Sequence, residues 1–132
     1  MPGTKPTVAI VDDDISVLRA LGRLLKESGY GVELFASAAE ALCAGPSNQA
    51  ICLVIDCQLG HTSGVELAKR LYAAGCEIPI IFMTGSEDDT IRRQAMALGC
   101  AAYLKKPFHG RELLASIAMI IQREKRPARA AG

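Results

Sequence analysis

The sequence predicts an α/β fold, with a mostly parallel five-stranded sheet and five helices that cover both of its faces. Three observations support this prediction. Short apolar runs alternate with helical patterns along the chain, which is typical of a parallel sheet. The runs 8–11 and 51–55 are apolar throughout, as expected for strands that are covered on both faces. The length of 132 residues, of which 50% are hydrophobic, suits one domain with one core.

The predicted elements follow one another in regular alternation. The five predicted strands are residues 8–11, 32–35, 51–55, 78–83 and 101–105. Five helices are predicted, mostly from residues at helical spacing. In chain order they are marked by Val17, Leu21, Leu24 and Leu25; by the short stretch 37–43; by Gly64, Leu67, Ala68 and Leu71; by Ile91, Ala95 and Leu98; and by Leu114, Ile117 and Ile121. Asp14 or Ser16 is suited to cap the first helix. Gly29, Gly75 and Gly99 follow helix ends, where a left-handed residue is preferred.

Charge and hydropathy exclude several classes of protein. The formal net charge is +1 and the pI is near 7.6, which gives no reason to expect a nucleic-acid or membrane-surface binder. Residues 1–7 are polar, contain two prolines and lack the apolar centre of a signal peptide. The longest apolar runs are much shorter than the roughly 18 residues that a membrane span needs. We therefore expect a cytoplasmic protein.

The cysteines support the same compartment. They are Cys43, Cys52, Cys57, Cys76 and Cys100. Their number is odd, and they form neither a CxxC pair nor a zinc-ligand spacing. We expect them to be buried, reduced thiols that act as small core residues.

Polar side chains follow four of the five predicted strands. Asp12 and Asp13 follow the first strand, Asp56 the third, Thr84 the fourth and Lys106 the fifth. In open α/β sheets, ligands bind outside the carboxyl ends of the strands, where the strand order reverses. We therefore expect these five side chains to meet on one rim of the sheet.

This combination of residues suits phosphoryl transfer assisted by Mg²⁺. Crowded carboxylates raise one another's pKa, and a hard cation with oxygen ligands relieves the repulsion. A carboxylate such as Asp56 can act as the nucleophile and form an aspartyl-phosphate. Lys106 would add positive charge, and the Thr84 hydroxyl would donate to a phosphate oxygen beside the side-chain-free Gly85. Each feature alone also fits a solvated helix start or turn, so the combination carries the prediction.

The chain resembles the receiver domains of bacterial response regulators from about residue 7 to residue 122. The matching motifs are the acidic run 10–14, the phosphoacceptor strand 53–56, the loop and helix start 56–67, the switch-threonine segment 82–85 and the Lys-Pro-Phe segment 103–108 with its upstream aromatic residue. The short segments at 29–30, 35–38 and 82–85 look most like the FixJ-like subgroup. The resemblance implies a doubly wound, flavodoxin-like sheet with strand order 2-1-3-4-5.

The resemblance also implies a role for each site residue. Asp56 is the phosphoacceptor, which receives its phosphoryl group from a sensor histidine kinase or a phosphotransfer protein. Mg²⁺ is held by the carboxylates of Asp12, Asp13 and Asp56 and by the backbone carbonyl of Gln58. Lys106 contacts the phosphoryl group, and its peptide bond to the following proline is expected to be cis, which is rare without such a resemblance.

The switch residues implied by the resemblance are Thr84 and Tyr103. They move together on phosphorylation and alter the face formed by the fourth helix, the fifth strand and the last helix. This face then controls a partner or an output domain. Whether it also forms a homodimer is left open.

The chain departs from the family pattern after the phosphoacceptor. Many members have Met-Pro where this chain has Leu59-Gly60, and a glycine makes the loop more flexible. His61 and His109 are interpreted as solvated histidines rather than phosphotransfer residues.

The predicted organisation has three parts. Residues 7–122 form the receiver domain, 1–6 a disordered N-terminus, and 123–132 a basic tail or truncated linker that is too short for a helix-turn-helix domain. Nucleic-acid binding by this chain alone is not expected.

Two other functions are consistent with parts of the pattern. One is a pseudo-receiver, a protein-interaction module that takes no phosphate, although the intact acidic, threonine and lysine positions argue against it. The other is an Asp-nucleophile phosphatase, which usually needs a second acid two residues after the nucleophile, where Gln58 stands. We therefore expect a phosphorylated switch, which assists only its own phosphorylation and dephosphorylation, and not a turnover enzyme.

Overall fold

A computed structural model describes residues 5–47 and 49–125. The strands of its main sheet are β1 (Thr7–Val11), β2 (Gly31–Phe35), β3 (Ala50–Asp56), β4 (Ile80–Thr84) and β5 (Ala102–Lys105). The helices are α1 (Ile15–Glu27), α2 (Ala38–Ala44), α3 (Gly64–Ala73), α4 (Asp89–Ala97) and α5 (Gly110–Lys125). All neighbouring strands of this sheet are parallel, in the order β2-β1-β3-β4-β5. The predicted doubly wound fold is confirmed.

A short hairpin between β3 and α3 was not predicted. Gln58–Leu59 pairs antiparallel with Thr62–Ser63, and Gly60 and His61 form the turn. Strands of two residues are too short to show an alternating pattern, so the sequence carries no periodic signal for them. We call this element the 58–63 hairpin.

The sheet separates two apolar layers, because successive side chains of a strand point to opposite faces. Val8 and Ile10 of β1 pack on one face in a cluster with α1 and α5. Ala9 and Val11 pack on the other face with α2, α3 and α4. The central strands are therefore covered on both sides, which explains why their sequences are apolar throughout.

The buried faces of the first and last helices differ by a residue from those predicted. In α1 the buried side chains include Leu18, Leu21 and Leu25, whereas Val17 and Leu24 are only partly buried. The fully buried residues of α5 are Leu113, Ile117 and Ile120, and the predicted Leu114 and Ile121 lie at the edge of the same face. Helical spacing fits both sets equally well, so periodicity alone did not distinguish them.

The helix ends agree with the expected capping. The Asp14 carboxylate accepts hydrogen bonds from the backbone N–H groups of Ser16 and Val17, at 2.9 and 3.3 Å, so Asp14 and not Ser16 caps α1. Gly29 follows this helix with φ +95°, a conformation that glycine adopts without steric cost.

The chain termini extend partly beyond the described residues. Helix α5 continues to Lys125, past the predicted domain boundary at residue 122. Most of the N-terminal segment predicted to be disordered (1–4) and most of the predicted tail (126–132) lie outside the described residues. Within the described part, no helix combines the length and the apolar character needed to cross a membrane.

The cysteines are free but not uniformly buried. Cys52 and Cys57 are buried, and burial raises the pKa of each thiol to about 12. Cys76 and Cys100 are partly buried. Cys43 is exposed near the end of α2, so the prediction of burial is wrong there. The short α2 helix has too few turns for its sequence to define an inward face.

Candidate functional site

The register of the sheet brings the predicted residues to one rim. Thr84 is paired with Lys105 across β4 and β5, and Asp56 is the last residue of β3. Asp12 follows β1 directly, and its N–H donates to the Phe35 carbonyl at 3.1 Å, which continues the sheet by one bond. The carboxyl ends of the parallel strands therefore present their polar side chains together, at the point where the strand order reverses.

Lys106 links two of the carboxylates. Its Nζ lies 2.6 Å from Asp56 Oδ2 and 3.2 Å from Asp12 Oδ2. Its side chain is 26% exposed, whereas those of Asp12 and Asp56 are 0% and 8% exposed. Burial alone would lower the pKa of the ammonium, but the hydrogen bond to Asp56 and the two negative charges raise the pKa above its ordinary value. The lysine is thus held as a cation beside the predicted acceptor.

Backbone N–H groups hold the other carboxylate oxygens in place. Asp12 Oδ1 accepts from the N–H of Asp14 at 2.8 Å, and Asp56 Oδ1 accepts from the N–H of Gln58 at 2.8 Å. Each of these carboxylates therefore accepts a hydrogen bond from a backbone amide with one oxygen and from Lys106 with the other. Both side chains are oriented by the fold before any ligand arrives.

Three carboxylates form a group that fits a hard cation. One oxygen from each of Asp12, Asp13 and Asp56 lies within 4.8 Å of the others. Asp13 is exposed and reaches the group from the solvent side. Burial raises the pKa of Asp12, the negative charge of Asp56 raises it further, and Lys106 opposes both. Oxygen ligands at this spacing, with a charge repulsion that a cation would relieve, fit Mg²⁺.

Gln58 is the fourth predicted metal ligand. Its N–H bond to Asp56 fixes its peptide group next to the acceptor carboxylate. The predicted role concerns the carbonyl oxygen of the same residue, and that role stays a prediction.

Thr84 is fully buried at the end of β4. Its Oγ1 accepts a hydrogen bond from the N–H of Ser86 at 3.0 Å. A hydroxyl can accept and donate at once, so its hydrogen can still point to a group in the site. Gly85 lies between the two, and a side chain there would meet nothing within 4 Å. The space expected beside Thr84 is present.

Tyr103 lies one strand away from the rim's centre. It is paired with Phe82 across β4 and β5 and is partly buried against the apolar layer of α2, α3 and α4. Burial raises the pKa of its phenol, and the Thr84 hydroxyl lowers it to a smaller extent. Tyr103 also borders an open groove of about 350 Å³ beside α4, lined among others by Arg92, Met96 and Lys105. It thus lies between the acidic rim and the outer face.

Two residues of the site were not recognised from the sequence. Gly64 begins α3 so close to β3 that a Cβ atom would overlap the carbonyl oxygen of Asp56. The sequence signal that could have identified Gly64 is a glycine at the first position of a helix, since glycine has no advantage in helix propensity. The backbone N–H of Ser86 donates to Thr84, which any non-proline residue could do, and the Ser86 hydroxyl accepts from the N–H of Asp88 at 2.9 Å. The predicted cis peptide bond between Lys106 and Pro107 is confirmed.

These features define a doubly wound α/β domain with an acidic, lysine-containing pocket at the carboxyl end of its sheet. The sequence profile of the family "Response regulator receiver domain" matches residues 8–118. The chain therefore belongs to the response regulator receiver family of two-component systems.

Curated relatives indicate the subgroup. The chain is 39% identical over 117 residues to the transcriptional regulatory protein FixJ of Azorhizobium caulinodans, covering 89% of this chain and 55% of that protein. It is 37% identical over 123 residues to nodulation protein W of Bradyrhizobium diazoefficiens, covering 93% and 54%. The predicted FixJ-like likeness is confirmed. The chain spans about half the length of these relatives.

Solved structures confirm the fold. A CheY-like receiver domain protein from Methanospirillum hungatei superposes with a TM-score of 0.84 at 28% identity, covering 92% of this chain and 98% of that one. The response regulator StyR gives a TM-score of 0.82 at 39% identity, covering 91% of this chain and 61% of that one. Receiver domains are signalling modules that interact with histidine kinases or phosphotransfer proteins, and those of this family bind Mg²⁺ at an acidic pocket.

Proposed function

We propose that this domain accepts a phosphoryl group on Asp56 in a Mg²⁺-dependent reaction and relays the change of state to a partner or output domain. One observation carries the proposal. The Asp56 carboxylate is held by the Lys106 ammonium at 2.6 Å, within reach of the carboxylates of Asp12 and Asp13. A nucleophile, a fixed cation and a cation-binding group therefore share one pocket.

The proposed donor is a phosphohistidine on a histidine kinase or phosphotransfer protein. A carboxylate oxygen of Asp56 attacks the phosphorus, a P–O bond forms, and the P–N bond breaks. The electron pair stays on the leaving imidazole, which takes a proton from solvent. Bound Mg²⁺ supplies positive charge to the phosphoryl oxygens. Lys106 is already positioned to contact the same oxygens, and the Thr84 hydroxyl would reach them by moving toward the pocket.

An apolar surface beside Lys106 suits the docking of the donor. Ile15, in the first turn of α1, is 46% exposed close to the acidic rim. On the same helix and beside Lys106, a shallow groove of about 440 Å³ is lined by Val17, Ala20, Leu21, Lys106, Pro107 and Phe108. Exposed apolar surface rimmed by polar residues is typical of a protein-binding site. We propose that a helix of the donor protein covers this groove during transfer.

The proposed output path runs from Thr84 to Tyr103. When Thr84 moves toward the phosphoryl group, its bond to the Ser86 N–H pulls on the loop before α4. Tyr103 then fills the space that the loop leaves, and the surface of α4, β5 and α5 changes. This surface would control a partner, an output domain or a second copy of the chain. We place the protein in the cytoplasm, where its five free thiols stay reduced.

The test is intact-protein mass spectrometry after incubation with acetyl phosphate, with and without Mg²⁺. The natural chain is expected to gain one phosphoryl group only when Mg²⁺ is present, and Asp56→Asn is expected to gain none. Asp14→Asn is the matched control, because asparagine also caps a helix well and this carboxylate lies outside the acidic group. It should be labelled like the natural chain.

The result also separates the competing functions. A folded natural chain without any adduct would overturn the proposal for this donor and favour the pseudo-receiver. Steady release of inorganic phosphate without an accumulated adduct would favour a phosphatase.

A further inference from the structure

The turn of the 58–63 hairpin has an unusual backbone next to the acidic group. Gly60 has φ +65°, in the left-handed region, and His61 has a negative φ. Leu59 and Thr62 pair on either side, so the loop has two residues. A positive φ at the first loop residue followed by a negative φ matches a type II′ turn, which favours glycine at that first position.

The surrounding contacts hold this hairpin close to the phosphoacceptor. The N–H of Gln58 at its start donates to the Asp56 carboxylate at 2.8 Å. The N–H of Gly64, after its end, donates to the Cys57 carbonyl at 2.8 Å. Leu59 is 5% exposed and packs in the layer beneath α3. Both ends and one side chain of the hairpin are thus fixed, and the turn has one position relative to the pocket.

The direction of a side chain at Gly60 gives a second, independent observation. A Cβ atom built there would lie 3.6 Å from Oδ2 of Asp13. That distance is an ordinary contact for a methyl group, so a longer side chain would have to share the space beside this carboxylate. Asp13 is the one exposed member of the acidic group, so crowding it would change how that oxygen reaches a cation.

We propose that Gly60 is a positioning residue for the cation site: its left-handed turn fixes the 58–63 hairpin beside Asp13, and its missing side chain leaves the Asp13 oxygen accessible to Mg²⁺. This inference rests on the proposed function and deepens it. A proline has φ near −65° and is incompatible with this turn.

Two substitutions separate the conformational part of the proposal from the steric part. Gly60→Ala adds only the atom that fits, so its effect reports on the left-handed φ, which alanine adopts poorly. Gly60→Asn tolerates that φ better but adds a longer side chain next to Asp13. Gly60→Pro removes the turn altogether. The matched control is Gly99→Ala, because Gly99 has φ +77°, a Cβ atom there would meet nothing within 4 Å, and the residue precedes β5, at the end of the sheet opposite the rim.

The measurement is the Mg²⁺ dissociation constant by isothermal titration calorimetry, together with the thermal midpoint of each metal-free protein. We expect Gly60→Pro to weaken Mg²⁺ binding at least fivefold, and Gly60→Ala and Gly60→Asn about two- to threefold each. Gly99→Ala should lose as much thermal stability as Gly60→Ala and bind Mg²⁺ like the natural chain. That split between affinity and stability is not expected from a purely structural role.

The outcomes are distinguishable. If Gly60→Ala and Gly60→Asn bind Mg²⁺ with the natural affinity, the inference is wrong, whether or not Gly60→Pro folds. If the natural chain itself binds no Mg²⁺ and takes no phosphoryl group, the proposed function fails first. If Mg²⁺ affinity falls equally in Gly99→Ala, general destabilisation explains the effect and the role of Gly60 is rejected.

Discussion

At the scale of single residues, the buried position of Asp12 disfavours the ionised form of its carboxyl group. It is completely buried, and burial together with the charge of Asp56 raises its pKa, although Lys106 acts in the opposite direction. An acid with a raised pKa in the folded state favours folding most when it is protonated. That contribution is lost as the pH rises through the folded-state pKa. The ionised form of Asp12 therefore costs stability in the metal-free protein.

Asp12→Asn is expected to stabilise the metal-free protein and to abolish its response to Mg²⁺. The amide keeps an oxygen for the Asp14 N–H and removes a buried charge, a change of the order of 1 kcal/mol. Thermal unfolding in EDTA and in excess Mg²⁺ checks this. The natural chain should gain stability from Mg²⁺ by mass action, and the variant should not. A lower midpoint for the variant in EDTA would contradict this account of Asp12.

Unlike the ionised Asp12, the charged Lys106 stabilises the folded protein. Its raised pKa means that the charged lysine stabilises the folded state, fully at pH values below its ordinary pKa of 10.5. Lys106→Met leaves Asp12 and Asp56 without their counter-charge, and we expect a loss of about 1–3 kcal/mol in EDTA, since the lysine is partly solvated. The stability difference between the two proteins should stay constant from neutral pH to about pH 10 and shrink above it. Urea unfolding across this range measures it, and a difference that grows with pH would refute it.

At the scale of elements, the junction of β3 and α3 leaves no space for a side chain. Gly64 begins α3, and a Cβ there would overlap the Asp56 carbonyl oxygen and press on Ile55. Gly64→Ala is expected to cost about 1–3 kcal/mol, as for other overpacked sites, and to displace the acceptor strand's end. Slower labelling by acetyl phosphate should accompany the lost stability. Gly29→Ala, where the added Cβ atom would meet nothing within 4 Å, is the control that should keep the natural labelling rate.

The same elements show what the sequence was able to predict. The five strands and the rim residues were predictable, because buried parallel strands are continuous apolar runs and their polar ends are visible as interruptions. The 58–63 hairpin was not, since its strands have two residues each and its turn depends on one φ angle. The predicted buried face of α5 differed by one residue from the observed face. Ile117 belongs to both candidate faces, and only packing against β3 and β5 selects between them.

The roles of single atoms were also beyond the sequence. The acidic run 12–14 is uniform in composition, yet its members are used differently: Asp12 is buried against Lys106, Asp13 is exposed beside Gly60, and Asp14 caps α1. The role of each carboxylate depends on the path of the chain after β1 and on the position of Lys106, which lies 94 residues after Asp12. Such long-range contacts leave no periodic trace in the sequence.

At the scale of the whole molecule, the question is how the rim communicates with the outer face of α4, β5 and α5. Thr84 is the residue that connects the rim with that face. Its hydroxyl borders the acidic pocket, it accepts from the Ser86 N–H in the loop before α4, and Tyr103 lies on the adjacent strand. An exposed ion pair between Lys105 and Glu87, at 2.5 Å, joins the same loop to the end of β5. Exposed pairs of this kind contribute little energy, so we expect Thr84 to dominate the coupling.

Thr84→Val should separate phosphorylation from its consequence. Valine keeps the shape of threonine and removes only the hydroxyl, leaving the Ser86 N–H without its acceptor at a cost of about 1 kcal/mol. We expect the variant to form the Asp56 adduct in Mg²⁺, at a reduced rate, because Lys106 and the acidic group are unchanged. The response of Tyr103 should be lost, because the hydroxyl that links the phosphoryl group to the α4 loop is gone.

Fluorine NMR of protein labelled with fluorotyrosine measures that response, since the chain has only three tyrosines and Tyr103→Phe assigns the signal. In the natural chain the Tyr103 resonance should shift on phosphorylation, and in Thr84→Val the phosphorylated protein should keep the unphosphorylated position. Thr90→Val, on the exposed first turn of α4, is the matched control and should shift like the natural chain. A full shift of Tyr103 in the phosphorylated Thr84→Val protein would show that the signal reaches α4 by another route, and the hydroxyl would then serve the chemistry alone.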